Sequence, residues 1–212
     1  MIKFNNISLN FNGKPIFTNF DMNIKENEKV IIAGRSGIGK SSLFSLLLGF
    51  LEPDKGSIFF SGKELNSSNI WDIRNKISYV DQDAVSGTGK VSDWIKTICD
   101  FKYNKESGLS LKKVIEESKK LNMNTECFDK DISELSGGER QRISISLALA
   151  SGKNVFLLDE ITSALDNKLK FKVAEIFLNM KNSTVVAVSH DPIWTNNGNA
   201  KVFDLEEMKW KQ

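Results

Sequence analysis

Eight residues constrain this chain more than any others: Gly34-Arg35-Ser36-Gly37-Ile38-Gly39-Lys40-Ser41. They fit the phosphate-loop pattern G-x-x-x-x-G-K-S in full. The apolar run Val30-Ile31-Ile32-Ala33 before them reads as a buried strand. A helix follows, with Leu43, Leu46, Leu47 and Phe50 on one face. Strand, glycine loop and helix start are the context in which such a loop binds phosphate. Glycines let backbone N–H groups wrap an anion without Cβ clashes. The helix points its positive end at the same anion. Lys40 adds a mobile charge for the β- and γ-phosphates, and the Ser41 hydroxyl suits Mg²⁺, which prefers hard oxygen ligands.

A second signal is Asn154-Val155-Phe156-Leu157-Leu158-Asp159-Glu160. It is a buried strand that ends in two carboxylates. Behind a phosphate loop, the first suits the Mg²⁺ shell. The second suits orientation of an attacking water. A third signal is Leu135-Ser136-Gly137-Gly138-Glu139-Arg140-Gln141-Arg142. Ser136 is a good N-cap, and the glycines beside it leave N–H groups bare. The apolar face of this helix runs on through Ile143, Leu147 and Ala150. A second phosphate-binding helix start is more than one ATP needs from one chain, so the economical reading gives it to the ATP of another subunit.

Between these motifs the chain alternates strand and helix, which argues for a sheet covered by helices. Ile7, Leu9 and Phe11 read as one face of a strand that turns at Asn12-Gly13 into a second strand, Ile16 to Ile24. Further strands are expected at Ser57 to Phe60, Ile77 to Val80 and Thr184 to Ser189, and a helix at Lys168 to Met180. From about Ala84 to Asp131 the texture becomes helical. The expectation is one domain over 1–212, an α/β core with an N-terminal β subdomain (1–83 and 132–212) interrupted by a helical insert (84–131).

The composition excludes several function classes. There are 29 basic and 27 acidic residues, a net charge of +2, which argues against a strongly basic nucleic-acid surface. Cys99 and Cys127 with a single histidine do not make a zinc site. No apolar signal core opens the chain. The greasiest segments, Ser42 to Phe50 and Asn154 to Asp159, fall far short of the ~20 residues that cross a bilayer.

Leu135 to Arg142 resembles the signature motif of ABC ATPases, and all three motifs occur in that family's order. The resemblance covers nearly the whole chain. Phe11 resembles the aromatic residue on which adenine stacks, and Ile16 the small apolar residue beside it. Gln82 resembles the Q-loop glutamine, Ser163-Ala164-Leu165-Asp166 the D-loop, and His190 the switch histidine. The resemblance implies a P-loop NTPase core of ABC type that hydrolyses ATP with Mg²⁺. ATP contacts then fall on Phe11, Ile16, Gly34, Arg35, Ser36, Gly37, Ile38, Gly39, Lys40, Ser41, Ser42 and Gln82, with Ser136, Gly137, Gly138, Glu139 and Asp166 on the second face. Glu160, His190 and Lys40 are the catalytic candidates, and Ser41, Gln82 and Asp159 the metal-binding ones.

Three positions depart from the family pattern: Asn27 in place of glycine before Glu28, Asp81 in place of proline before Gln82, and Phe11 in place of tyrosine. None removes a group that hydrolysis needs, and asparagine tolerates a left-handed turn. The implied partners are a second copy, head to tail, and separate transmembrane permease subunits that hold the chain at the cytoplasmic face of the membrane. No nucleic-acid partner is expected. Within the insert, Val85, Val91, Trp94, Ile95 and Ile98 are candidates for a groove that receives a helix of the permease, though several must be core. The phrase DEITSALD resembles a small bacterial branch assigned to iron or metal efflux. The alternatives are a soluble ABC ATPase acting on ribosomes or nucleic acid, and a generic P-loop kinase or GTPase, which leaves the signature and His190 unexplained. Trp71, Trp94, Trp194 and Trp210 read as packing or partner contacts.

Overall fold

The computed structural model describes residues 1–82 and 85–211, and its first two strands show how the apolar pattern sets the architecture. β1 (Ile2–Phe11) buries Ile2 and Phe4, then Ile7 and Leu9. The buried set changes parity because the register shifts between Phe4 and Ile7, with Asn6 at φ 53°. β2 (Lys14–Ile24) pairs antiparallel with β1 around Asn12 and Gly13, both at positive φ, as a tight hairpin demands. Phe11 does not share the inward face expected for it. It ends the strand at the hairpin with 57% of its surface exposed.

The chain turns at Asn27 (φ 63°) into β3 (Lys29–Ala33). α1 (Lys40–Leu47) follows the glycine loop and is one turn shorter than expected. Phe50 lies beyond its end, 63% exposed, and not on its buried face. β4 (Lys55–Phe60) pairs with β1, and β5 (Lys63–Glu64) completes a four-stranded antiparallel sheet in the order β2-β1-β4-β5. α2 (Ile70–Lys76) leads into β6 (Ile77–Val80).

After β6 comes a helical stretch. The expected start of the insert, Ala84, lies outside the described residues. α3 (Val91–Asp100), α4 (Lys102–Glu106) and α5 (Leu111–Lys120) precede two short 3-10 turns, Thr125–Asp129 and Ile132–Glu134. α6 (Gly137–Ala150) and α7 (Asn167–Leu178) flank β7 (Val155–Asp159). β8 (Thr184–Val188), α8 (Pro192–Thr195), β9 (Lys201–Asp204) and β10 (Lys209–Trp210) end the chain.

The second sheet has the order β10-β9-β3-β8-β7-β6. All its neighbours are parallel except β10, which pairs antiparallel with β9. β7 and β8 are buried at every position, the continuous apolar run of a sheet covered on both faces. On one face, α1 and the antiparallel sheet pack against Val30, Ile32, Leu157 and Val186. On the other, α6 and α7 cover Ile31, Phe156, Leu158 and Val185, with Trp194 fully buried among them.

α6 is buried on two sides. Ile145 and Ala148 face the sheet, while Ile143 and Ala150 face a separate core formed with Val91, Ile95, Val114, Phe128 and Ile132. Of the five groove candidates, Val85, Val91 and Ile95 belong to that core, and only Trp94 and Ile98 line an open cavity of about 220 Å³ beside β6.

Candidate functional site

Because β3, β6, β7 and β8 run parallel, their carboxyl ends open on one edge of the sheet, the edge where ligands of α/β folds bind. The glycine loop leaves β3 there, Gln82 follows β6, Asp159 and Glu160 end β7, and His190 follows β8. This topology brings together residues that lie up to 150 positions apart.

Lys40 is the first residue of α1, and its side chain is almost fully buried. Its ammonium donates to the carbonyls of Gly34 (2.8 Å) and Arg35 (3.0 Å) and lies 2.9 Å from Nε2 of His190. Oε1 of Glu160 is 3.9 Å from the ammonium and 3.3 Å from the same histidine nitrogen. Burial holds the Lys40 ammonium below its ordinary pKa, opposed by the charges of Glu160, Asp159 and Glu206. Nε2 of His190 thus stands between an ammonium, from which it could only accept, and a carboxylate, to which it could only donate.

Glu160 adopts φ 48°, a left-handed conformation rare for a side chain of this size. Its N–H donates to the carbonyl of Val188 on β8 (3.1 Å), which ties the bend to the next strand. Strain of this kind concentrates where a side chain must be aimed. Asp159 is buried, and burial pushes its carboxyl above the usual range although the neighbouring Ser41 hydroxyl draws it down. Asp81 and Glu160 add to the upward shift.

That pair is the observation on which a magnesium site is judged. A buried carboxylate beside a serine hydroxyl, with the Asp81 and Glu160 carboxylates near it, is a hard oxygen set of the kind Mg²⁺ prefers. Among the described residues no group of three His, Cys, Asp or Glu side chains makes a protein-only metal cage. The residues fit an ion shared with phosphate oxygens. Gln82 sits in an exposed turn at the same edge, its N–H donating to Asp81 (2.7 Å).

Ile16 lies against the loop. A Cβ built on Gly39, which has φ 107°, would fall 2.5 Å from Cγ2 of Ile16. This contact sets the antiparallel sheet beside the phosphate loop, and Phe11 stands open at the end of the same hairpin. Arg35, Ser36, Gly37 and Ser41 are exposed, while Ile38 and Ser42 are half-buried.

Ser136 caps α6 in a reciprocal box with Glu139. Its Oγ accepts from Glu139 N–H (3.2 Å), while Glu139 Oε2 accepts from the Ser136 N–H and hydroxyl, both at 2.8 Å. The Cys127 thiol and the Lys130 ammonium hold Oε1, each at 3.0 Å. Led by the Cys127 bond and then the Ser136 N–H, these contacts draw the Glu139 carboxyl down to about 2. Among the described residues no hydrogen bond or ion pair joins Ser136–Glu139 to the loop of Gly34–Ser42. Asp166 caps α7, accepting from Leu169 N–H (3.0 Å).

Gln141 is a polar residue near the site that sequence reasoning passed over. It is buried, donates to the Ser163 hydroxyl (2.7 Å) and accepts from Ala164 N–H (2.9 Å). A Cβ on Gly138 would fall 3.1 Å from the Ala164 carbonyl. The glycine thus lets α6 close onto the segment that follows Glu160. A polar residue at a buried position of α6 was the signal that could have found Gln141. An open cleft of about 310 Å³ lies between Glu160, Ser163, Lys170, His190 and Asp191. A larger cavity, about 610 Å³ between α1 and α2, is lined by Leu46, Ile58, Leu65, Ile70 and Trp71, away from this chemistry.

A family model described as ABC transporter matches residues 17–163. A putative export ATP-binding/permease protein of Rickettsia typhi is 36% identical over 89% of this chain, which spans 34% of that relative's length. The chain therefore spans about a third of such relatives. An energy-coupling factor transporter ATP-binding protein of Mycoplasmopsis synoviae is 33% identical over 90% of this chain and 74% of its own. Among solved structures, a dimeric post-hydrolysis ATP-binding cassette bound to ADP and Pi superposes with a TM-score of 0.82 at 23% identity, covering 100% of this chain and 97% of that one.

Proposed function

The chain belongs to the ABC transporter family, as one of its ATPase domains, and we propose that it drives a membrane transporter by closing head to tail on a second copy of itself. The observation that carries this reading is the split of the site. Lys40, Glu160 and His190 converge at one edge, while the Ser136 helix start stands apart, with Ser136 and Gly137 exposed. In the closed pair each ATP lies between the loop of one copy and Ser136-Gly137-Gly138 of the other.

Phe11 and Ile16 receive the adenine, and the loop N–H groups and Lys40 hold the phosphates. The phosphates give the Lys40 ammonium anionic partners in place of the carbonyls of Gly34 and Arg35. Once Lys40 moves to them, His190 is released from its conflicting neighbours. Its Nε2–H can then point at the γ-phosphate or at Glu160, which orients and deprotonates the attacking water. Ser41 and Gln82, with Asp159 through water, would hold Mg²⁺, which supplies neutralisation of the developing phosphate charge. ATP favours the closed pair because only that state uses both faces.

The membrane-spanning part is assigned to separate subunits. Support comes from the energy-coupling factor relative, matched over most of its length. The chain then works at the cytoplasmic face, with the 84–131 insert and its Trp94–Ile98 cavity as the receiving surface. A metal cargo rests on the DEITSALD phrase alone, since choice of cargo belongs to the membrane subunit. No observation favours the ribosome or nucleic-acid reading.

Phosphate release by the purified chain tests the catalytic assignment. Glu160→Gln should bind ATP as tightly as the parent and lose hydrolysis by about 10²–10³. Parent-level turnover in that variant would remove Glu160 from the mechanism.

A further inference from the structure

The C-terminal hairpin ends against the phosphate loop. β9 pairs with β3 through Ala33↔Asp204, and the Leu205 N–H donates to the Ala33 carbonyl (2.9 Å). The turn between β9 and β10 is shaped from within. Oδ1 of Asp204 accepts from the N–H groups of Glu206 (2.9 Å) and Glu207 (3.2 Å), and Lys211 holds the other oxygen at 2.8 Å. This turn sends the Glu206 side chain across to the loop, where Oε1 accepts the Arg35 N–H at 2.7 Å. Oε2 lies 4.0 Å from Nε of Arg35, an exposed contact of little weight. The approach is close: a Cβ on Gly34 would meet Leu205 at 3.4 Å and Glu206 at 3.8 Å.

We propose that Glu206 is a positioning residue for nucleotide binding, a carboxylate brace that fixes the start of the phosphate loop before ATP arrives. A loop with three glycines in eight residues loses much conformational freedom when it orders around an anion. Tying its second residue to a turn that is itself fixed by Asp204 removes part of that loss before binding. Preorganisation of this kind raises affinity without adding a contact to the ligand. The Arg35 N–H is committed to the chain's own carboxylate, so the brace is compatible with phosphates held further along the loop. It touches neither Glu160 nor His190, and it reaches Lys40 only through its charge, so its main effect falls on binding.

This inference rests on the reading of the loop as an ATP site. Its test is calorimetric titration of ATP into the full chain, with steady-state hydrolysis alongside. Glu206→Ala, and Glu206→Met, which keeps the side-chain length, should weaken ATP binding about fivefold and raise KM with little change in kcat. Glu206→Gln, whose amide oxygen can accept the same N–H, should restore most of the affinity. Equal affinity in all variants would overturn the brace. Tighter binding in Glu206→Ala would also overturn it, because Glu206 would then be competing with phosphate. A parent chain without measurable ATP affinity would overturn the functional reading and this inference together.

Discussion

Single residues carry the chemistry here because backbone conformation aims them. Gly39 combines φ 107° with a missing side chain where Ile16 presses on the loop. Gly39→Ala should cost more than about 1 kcal/mol of stability in denaturant unfolding, since alanine at positive φ is strained even without a clash. An unchanged midpoint would show that the loop takes up alanine there without backbone strain. Some of this was legible in the sequence. Asn27 adopts the left-handed turn expected from its place before Glu28, and the loop glycines announced themselves by spacing. The left-handed bend at Glu160 was not legible. It depends on the hydrogen bond to Val188, a partner that only the pairing of β7 with β8 supplies. Glu206 was invisible for the same reason: nothing near it in sequence resembles a phosphate loop.

Elements differ in how far their own residues specify them. β3, β6, β7 and β8 were found from short apolar runs, because strands buried on both faces need no polar alternation. β9 and β10 were missed. β9 is four residues with a lysine at its start and exists through long-range pairing with β3, as in Ile31↔Val202, while β10 is only two residues paired to β9 across a short turn. α6 shows the opposite case. Its start was read from Ser136 and the glycines, but its two buried faces hid Gln141. Removing the cap by Ser136→Ala should cost about 1 kcal/mol in unfolding free energy. The second half of the box titrates. Glu139 sits at about 2 in the folded chain against an ordinary 4.5, so its contribution is present above about pH 4.5 and is lost as pH falls toward 2. The stability gap between the parent and Glu139→Gln should therefore narrow across that window in acid unfolding curves. A gap independent of pH would remove the carboxylate from the cap's energetics.

At the scale of the whole molecule, the two helix starts proposed to bind phosphate belong to different packing units. α1 is held between the two sheets, while α6 is shared between the central sheet and the helical core. Gln141 bridges them indirectly, tying α6 to the segment that follows Glu160. In the proposed closure, a shift of the Ser136 face would be felt beside Glu160. Gln141→Ala should lower kcat more than ATP affinity, a split readable by comparing titration with turnover. The central claim is that ATP itself joins two copies. Sedimentation velocity of Glu160→Gln, with and without ATP, tests it most directly. Monomers are expected without ATP, dimers with ATP, and monomers again when Ser136→Arg is added to a chain that still binds nucleotide. Monomers of Glu160→Gln at saturating ATP would contradict it.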